Sequence, residues 1–313
     1  MSILWIVLGL LGLWLVCGYV VFRLACRAPK PMPLGDMEKL EKRLGSVCTP
    51  LVRYGMDWLE KNPAREVSMK SFDGLTLRGR WIPAENARGT IVMFHGWHGS
   101  AETDLSYVFP VYHDLGLNLL FVDQRSQNGS TGKYVTFGVL ESVDAADWVN
   151  YHNQHLGNFP VLLDGISMGG STVLLAMGRQ LPGNVRGVLA DSSFTSPQEI
   201  MAKVFRQMTH LPPWMIMGAV RLWCVLLAGF DPGAHSTLKA MADSQLPVLL
   251  LHGLADSFVP SAMSQAAYDA YTGHKELVLV EGAVHGMSYV VDKDRCTRAL
   301  KEFFDFTLGR KEK

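Results

Sequence analysis

Six short apolar runs recur along the chain: Thr90–Phe94, Asn118–Val122, Val161–Leu163, Val188–Ala190, Val248–Leu251 and Leu277–Val280. None contains a charge, and stretches of helical length separate them. A strand that is apolar at every position, rather than at every second one, must be covered on both faces. Such strands belong to a mostly parallel sheet with helices on either side. A hairpin precedes them. Val67 and Met69 alternate with polar residues, Asp73-Gly74 supplies the turn, and Leu75, Leu77 and Trp81 resume the alternation. Between about 196 and 245 the rhythm breaks, in a stretch rich in Met, Trp and Leu. This predicts one or two extra helices, a small cap over the strand ends.

The N-terminus follows another rule. Ile3 to Phe22 carries no charged residue, and about 20 such residues suffice for a helix to span a hydrocarbon core. A cleaved signal peptide is the rival reading, but it carries basic residues ahead of its apolar core. Here only Met1 and Ser2 precede the run, and Arg23, Arg27 and Lys30 follow it. An uncleaved transmembrane anchor is therefore expected, with the rest of the chain on the cytoplasmic side where basic flanks collect. Ala28 to Gly35 reads as a Pro-containing linker, Asp36 to Leu44 as a short helix, and Leu51 to Glu60 as a second helix stopped by Asn62-Pro63. The chain divides into an anchor and flank (1–30), a linker with N-terminal helices (31–65) and an α/β domain (66–313). With 29 Lys+Arg against 29 Asp+Glu and no long basic run, nothing points to a nucleic-acid partner. The five cysteines are scattered, which argues against a disulfide framework or a zinc cluster.

Chemistry concentrates just after the apolar runs. Gly165-Ile166-Ser167-Met168-Gly169 is a G-x-S-x-G pentapeptide between a short strand and the helix-forming run Thr172–Met177. In that setting the serine occupies a strained elbow that projects its hydroxyl. A helix-capping turn with an incidental serine would give the same five letters. A serine hydroxyl needs a base, and His285 follows the Leu277–Val280 run. The base needs a carboxylate to hold its tautomer, and Asp256 lies in the loop after Val248–Leu251. Asp191, in Ala190-Asp191-Ser192-Ser193, is the rival acid, read here as structural. His95-Gly96-Trp97-His98-Gly99 follows the Thr90–Phe94 run. The backbone N–H groups of Trp97 and Met168 are the candidate oxyanion donors. His95 is expected to hold this loop, and His98 to face solvent.

These residues resemble the α/β-hydrolase superfamily from about Glu66 to Leu308, in the order Ser, Asp, His. The chain resembles N-terminally anchored serine hydrolases related to the serine aminopeptidase and prolyl-oligopeptidase-like branches. Asp123-Gln124-Arg125 and Phe137–Glu141 look like the middle segment of that group, although Asn128-Gly129 stands where the group often has His-Gly. The resemblance implies hydrolysis through an acyl-enzyme, with no cofactor and no metal.

The leading expectation is a serine esterase acting on small-molecule or lipid-like esters with apolar acyl groups. A peptidase, aminopeptidase or thioesterase of the same fold is the alternative, and a catalytically idle membrane-tethered binding module is the hypothesis from another class. An aminopeptidase needs carboxylates to hold the substrate amine, and the cap offers Glu199, Asp231 and Asp243. Trp214, Met217 and Trp223 are expected either to wall an acyl pocket, to touch the bilayer or merely to pack.

Overall fold

A computed structural model describes residues 2–28 and 49–309. Most of the linker and the helix expected over Asp36 to Leu44 lie outside them. Eight strands form one sheet in the order β1-β2-β4-β3-β5-β6-β7-β8. The hairpin strands β1 (Arg65–Lys70) and β2 (Thr76–Ile82) pair antiparallel, and β2 joins β4 antiparallel. The remaining strands, β3 (Gly89–Phe94), β4 (Leu117–Asp123), β5 (Val161–Ile166), β6 (Val185–Asp191), β7 (Val248–Gly253) and β8 (Lys275–Val280), run parallel. Each of the six apolar runs is one of these strands, and every residue of β3, β4, β5 and β7 is buried.

Successive side chains of a strand point to opposite faces, and two cores result. Ile91 and Met93 of β3 enter one, with Val52, Phe109, Phe303 and Phe304. Val92 and Phe94 enter the other, with Trp148, Val173, Leu174 and Tyr271. Each fully buried side chain of this kind contributes about 1.5–3 kcal/mol, so the packing of the helices on the two faces of the sheet is a large stabilising contribution. On the first face lie α2 (Thr49–Lys61), α3 (Ala101–Asp104), α4 (Phe109–Asp114) and the C-terminal helix Lys293–Leu308. On the second lie α5 (Glu141–His155) and α6 (Met168–Ala176). The cores position the site because the parallel strands all end at one edge, where loops are free to carry function.

A third cluster forms beyond that edge. The stretch expected to be one or two helices holds three: α7 (Pro197–Thr209), α8 (Trp214–Trp223), prolonged by a wider π turn over Cys224–Ala228, and α9 (Thr237–Ala242). Ser196 starts α7 by accepting from the Glu199 N–H at 3.2 Å, with Pro197 in the first turn. The N-terminal helix α1 (Ser2–Cys26) joins this cluster. It is long and apolar enough to cross a membrane, and most of its side chains are exposed. Its last turns are not: Phe22 and Cys26 are fully buried among Met168, Ile216, Val220 and their neighbours. The chain then continues along residues 133–135, where the Val135 N–H donates to the Cys26 carbonyl at 2.7 Å and the Ala28 N–H to the Lys133 carbonyl at 3.1 Å.

Candidate active site

Ser167 stands between β5 and α6 with φ 56° and ψ −116°, left-handed backbone that a non-glycine residue adopts only under constraint. The constraint is packing. A Cβ on Gly165 would lie 2.2 Å from the Gly169 carbonyl carbon, and one on Gly169 would lie 2.0 Å from the Phe94 oxygen. The two glycines thus let β5, α6 and the end of β3 close around the turn. The Ser167 N–H donates to the Asp191 carbonyl at 2.7 Å.

The three side chains picked from the sequence meet here. Ser167 Oγ lies 2.8 Å from His285 Nε2, and His285 Nδ1 lies 2.7 Å from Asp256 Oδ2. A carboxylate only accepts, so Nδ1 carries the proton and Nε2 is left to accept from the serine hydroxyl. Asp256 is itself held from several sides. Its Oδ1 accepts the N–H groups of Phe258 and Val259 at 2.9 and 2.8 Å. His252 Nε2, 3.2 Å from its Oδ2, also lies 2.9 Å from the Val259 carbonyl, which fixes the proton on that nitrogen. Burial opposes the charge on Asp256, but the hydrogen bonds from His252 and His285 and the charge interaction with His285 outweigh it. The carboxyl is held well below the ordinary range.

Asp191 stands outside this relay. Its Oδ1 accepts from the hydroxyls of Ser192 and Ser288 at 2.8 and 3.1 Å, and Ser192 Oγ accepts the Gly286 N–H at 3.1 Å. It therefore braces the loop that carries His285, and burial raises its pKa.

The loop after β3 faces the serine from the other side. His95 is buried, with Nδ1 2.8 Å from the Gly96 carbonyl and Nε2 accepting the Gln124 N–H at 3.2 Å, so it holds the loop. His98 departs from the expectation of solvent exposure. It is half-buried, because its ring stacks on Trp97 at 3.7 Å and its N–H donates to Gln127. Asn128 donates to the Gly99 carbonyl at 2.9 Å, so the Asn128-Gly129 turn also supports this loop.

Two supporting residues escaped the sequence reading. Asp104 accepts the Gly96 N–H at 2.9 Å and the Thr103 hydroxyl at 2.7 Å. Lys203 of α7 donates to the carbonyls of Ser257 and Phe258 at 2.6 and 2.9 Å, clamping the loop that bears Asp256. Asp104 reaches a backbone N–H eight residues before it and Lys203 carbonyls more than fifty residues after it, and no motif announces either.

Ser167 and His285 open onto a cavity of about 350 Å³ whose other walls include Val52, Tyr107, Phe258, Val284 and Val290. Trp214, Met217 and Trp223 are not part of its wall. They belong to α8, which packs along α1 instead. Glu199 and Asp231 are engaged with Thr195 and Arg221. Among the described residues no cluster of His, Cys, Asp and Glu is arranged to hold a metal ion.

No family model matches the chain. In sequence it is similar to the uncharacterized protein YqkD of Bacillus subtilis (strain 168), 26% identical over 233 residues, which are 74% of this chain and 76% of that protein. In structure it is similar to the Pyrococcus furiosus esterase Pf2001, with a TM-score of 0.65, 21% identity, and coverage of 80% of this chain and 93% of the other. It is also similar to Pyrococcus horikoshii acylaminoacyl peptidase, with a TM-score of 0.61, 17% identity, and coverage of 83% of this chain and 44% of the other. An esterase and a peptidase share the architecture, so the substrate must be argued from the site.

Proposed function

We propose that this chain, which has the α/β-hydrolase fold, is a serine hydrolase that cleaves carboxylic esters with apolar acyl groups through an acyl-enzyme. The observation that carries the reading is the Ser167–His285–Asp256 relay opening onto an apolar cavity. Ser167 Oγ attacks the ester carbonyl carbon while His285 Nε2 takes its proton, and Asp256 stabilises the resulting imidazolium. The carbonyl oxygen becomes an oxyanion, for which the N–H groups of Trp97 and Met168 are the proposed donors. The Gly96 N–H is already committed to Asp104. Collapse of the intermediate expels the alcohol, which leaves with the proton from His285. Water, deprotonated by His285, then attacks the acyl-enzyme and releases the acid and Ser167.

Esters are favoured over peptides because the wall offers apolar surface and little charge. Its carboxylate, Asp104, already accepts from Gly96 and Thr103, so it is poorly placed to bind a substrate amine. In this reading α1 is an uncleaved single-pass anchor, and Arg23 and Arg27 after its apolar run hold the catalytic domain on the cytoplasmic side.

The test is kcat/KM over p-nitrophenyl esters from acetate to laurate, beside aminoacyl p-nitroanilides, with fluorophosphonate labelling of wild type and Ser167→Ala. Each buried methylene is worth about 0.8 kcal/mol, roughly fourfold in kcat/KM, so preference should climb with acyl length until the cavity fills. Ser167→Ala should lose labelling and about 10⁴–10⁶ in rate while remaining folded. An enzyme that prefers acetate or the anilides would overturn the substrate assignment. Labelling that survives in Ser167→Ala would overturn the nucleophile.

A further inference from the structure

The strongest unexplained feature lies away from the catalytic cavity, where α8 runs against α1. A Cβ on Gly18 would sit 2.3 Å from the Ala219 Cβ, so the two helices touch through small residues. The indole N–H of Trp14 donates to the Met215 carbonyl at 2.6 Å, and that of Trp223 to the Leu15 carbonyl at 2.9 Å. The rings of Tyr19 and Trp223 meet edge to face at 5.3 Å. Polar atoms are thus satisfied inside the helix pair. Its outer side is apolar: Trp214 is 81% exposed, Leu226 63% and Val225 47%. Arg221 is the charged residue of the stretch 214–228, and it is paired bidentately with Asp231 at 2.7 and 2.6 Å.

We propose that α8 and the π turn after it form a second membrane-contacting surface, seated in the acyl layer of the bilayer that α1 crosses. The proposal rests on the reading of α1 as an anchor, and geometry then leaves α8 little choice. The uncharged run of α1 ends at Phe22, and Trp14 lies eight residues before it. At 1.5 Å per residue, Trp14 sits about 12 Å inside that end. The hydrocarbon core is about 30 Å thick, so Trp14 is near its middle. A helix hydrogen-bonded to residues 14 and 15 is drawn below the bilayer surface with them. Its exposed side chains are the ones such a position requires: an exposed indole, Leu and Val outward, and the single Arg neutralised by a carboxylate. An apolar surface of this extent facing water would be unusual for a domain without a partner.

The arrangement also seats the catalytic cavity. The Trp97 indole donates to the Ala25 carbonyl at 2.9 Å, at the end of α1. Trp97 lines the cavity together with Ser167. The cavity therefore lies at the bilayer surface, where an ester with a long acyl chain partitions.

The experiment uses the full chain in phosphatidylcholine nanodiscs doped with a phosphatidylcholine bearing a diazirine midway along one acyl chain. After irradiation, adducts are mapped by peptide mass spectrometry in wild type and in Trp214→Lys/Leu226→Lys, which changes exposed positions only. Adducts are expected both in α1 and within residues 214–227, and the double variant should lose those in 214–227 several-fold while keeping those in α1. Adducts in α1 alone would overturn the second surface and leave the anchor standing. Adducts in neither region would overturn the anchor and the proposal with it. Chemical cross-links joining residues 214–227 of two copies, in place of lipid adducts there, would assign the surface to self-association and overturn the proposal.

Discussion

Ser167 holds a backbone conformation that costs of order 1–3 kcal/mol for a residue with a Cβ. Gly165, Gly169 and the Asp191 carbonyl leave it no other, and the result is a hydroxyl 2.8 Å from His285 Nε2. In the proposed reaction the two acids beside it have different tasks, which substitution can expose. In Asp256→Asn the amide can turn an N–H toward His285 Nδ1, which favours the wrong tautomer. The rate should fall about 10⁴-fold with the fold intact. In Asp191→Asn the bonds to Ser192 and Ser288 weaken, and the loss should fall mainly on thermal stability. Steady-state rates and melting curves of the two variants decide the matter, and a reversed pattern would move the acid to β6. Ser167, His285, Asp256 and Asp191 could be picked out in the sequence because each stands just past an apolar strand. Asp104 and Lys203 were not legible. Their partners are the Gly96 N–H and the Ser257 and Phe258 carbonyls, and any loop has such groups.

At the scale of elements, the strands were readable for the same reason they are stable: burial on both faces forces an unbroken apolar run. The helix α1 was readable as long and apolar enough to cross a membrane but not as a packing partner, since a helix apolar all round does not disclose which side meets protein. Its protein-facing side is the row Trp14, Gly18, Phe22 and Cys26, spaced four apart, with Phe22 and Cys26 fully buried. A separable anchor would leave an active domain when residues before about Lys30 are removed. The packing predicts otherwise. Truncation would uncover Ile216, Ala219 and Val220 and strip Trp97 of its bond to Ala25. The truncated chain should melt lower and lose kcat. Trp97→Phe isolates the second effect, because it removes the indole donor and keeps a ring. One hydrogen bond is worth about 0.5–1.5 kcal/mol, so kcat should drop by up to roughly tenfold at little change in KM. A truncated chain with wild-type kcat and melting temperature would make α1 a mere tether.

For the molecule as a whole, the sheet contains a buried carboxyl whose ionisation acts on global stability. Asp164 sits on β5, inside the sheet and three residues before Ser167, and the Tyr112 hydroxyl donates to its Oδ2 at 3.0 Å. Burial pushes its pKa up to about 7, the Tyr112 bond opposes that, and the charge on Asp191 adds to the rise. Between about pH 4 and pH 7 the unfolded chain has released this proton while the folded chain keeps it, so the folded state binds more protons and stability declines as pH rises. The contribution is fully present below the unfolded pKa and is gone once pH passes the folded one. A displacement from 3.8 to about 7 corresponds to roughly 4 kcal/mol across that window. Asp164→Asn keeps an acceptor for Tyr112 and cannot ionise, so it should remove the share of the slope that Asp164 carries. Asp191 and Asp144, raised in the same direction by burial, should leave a remainder. The measurement is the melting temperature of detergent-solubilised wild type and Asp164→Asn from pH 4.5 to 8, with Ser167→Ala as the background so that catalysis plays no part. The wild-type curve should fall by several degrees more than that of Asp164→Asn. Parallel curves would mean that Asp164 is ionised in the folded state across this range, and that the sheet tolerates a charge at its centre.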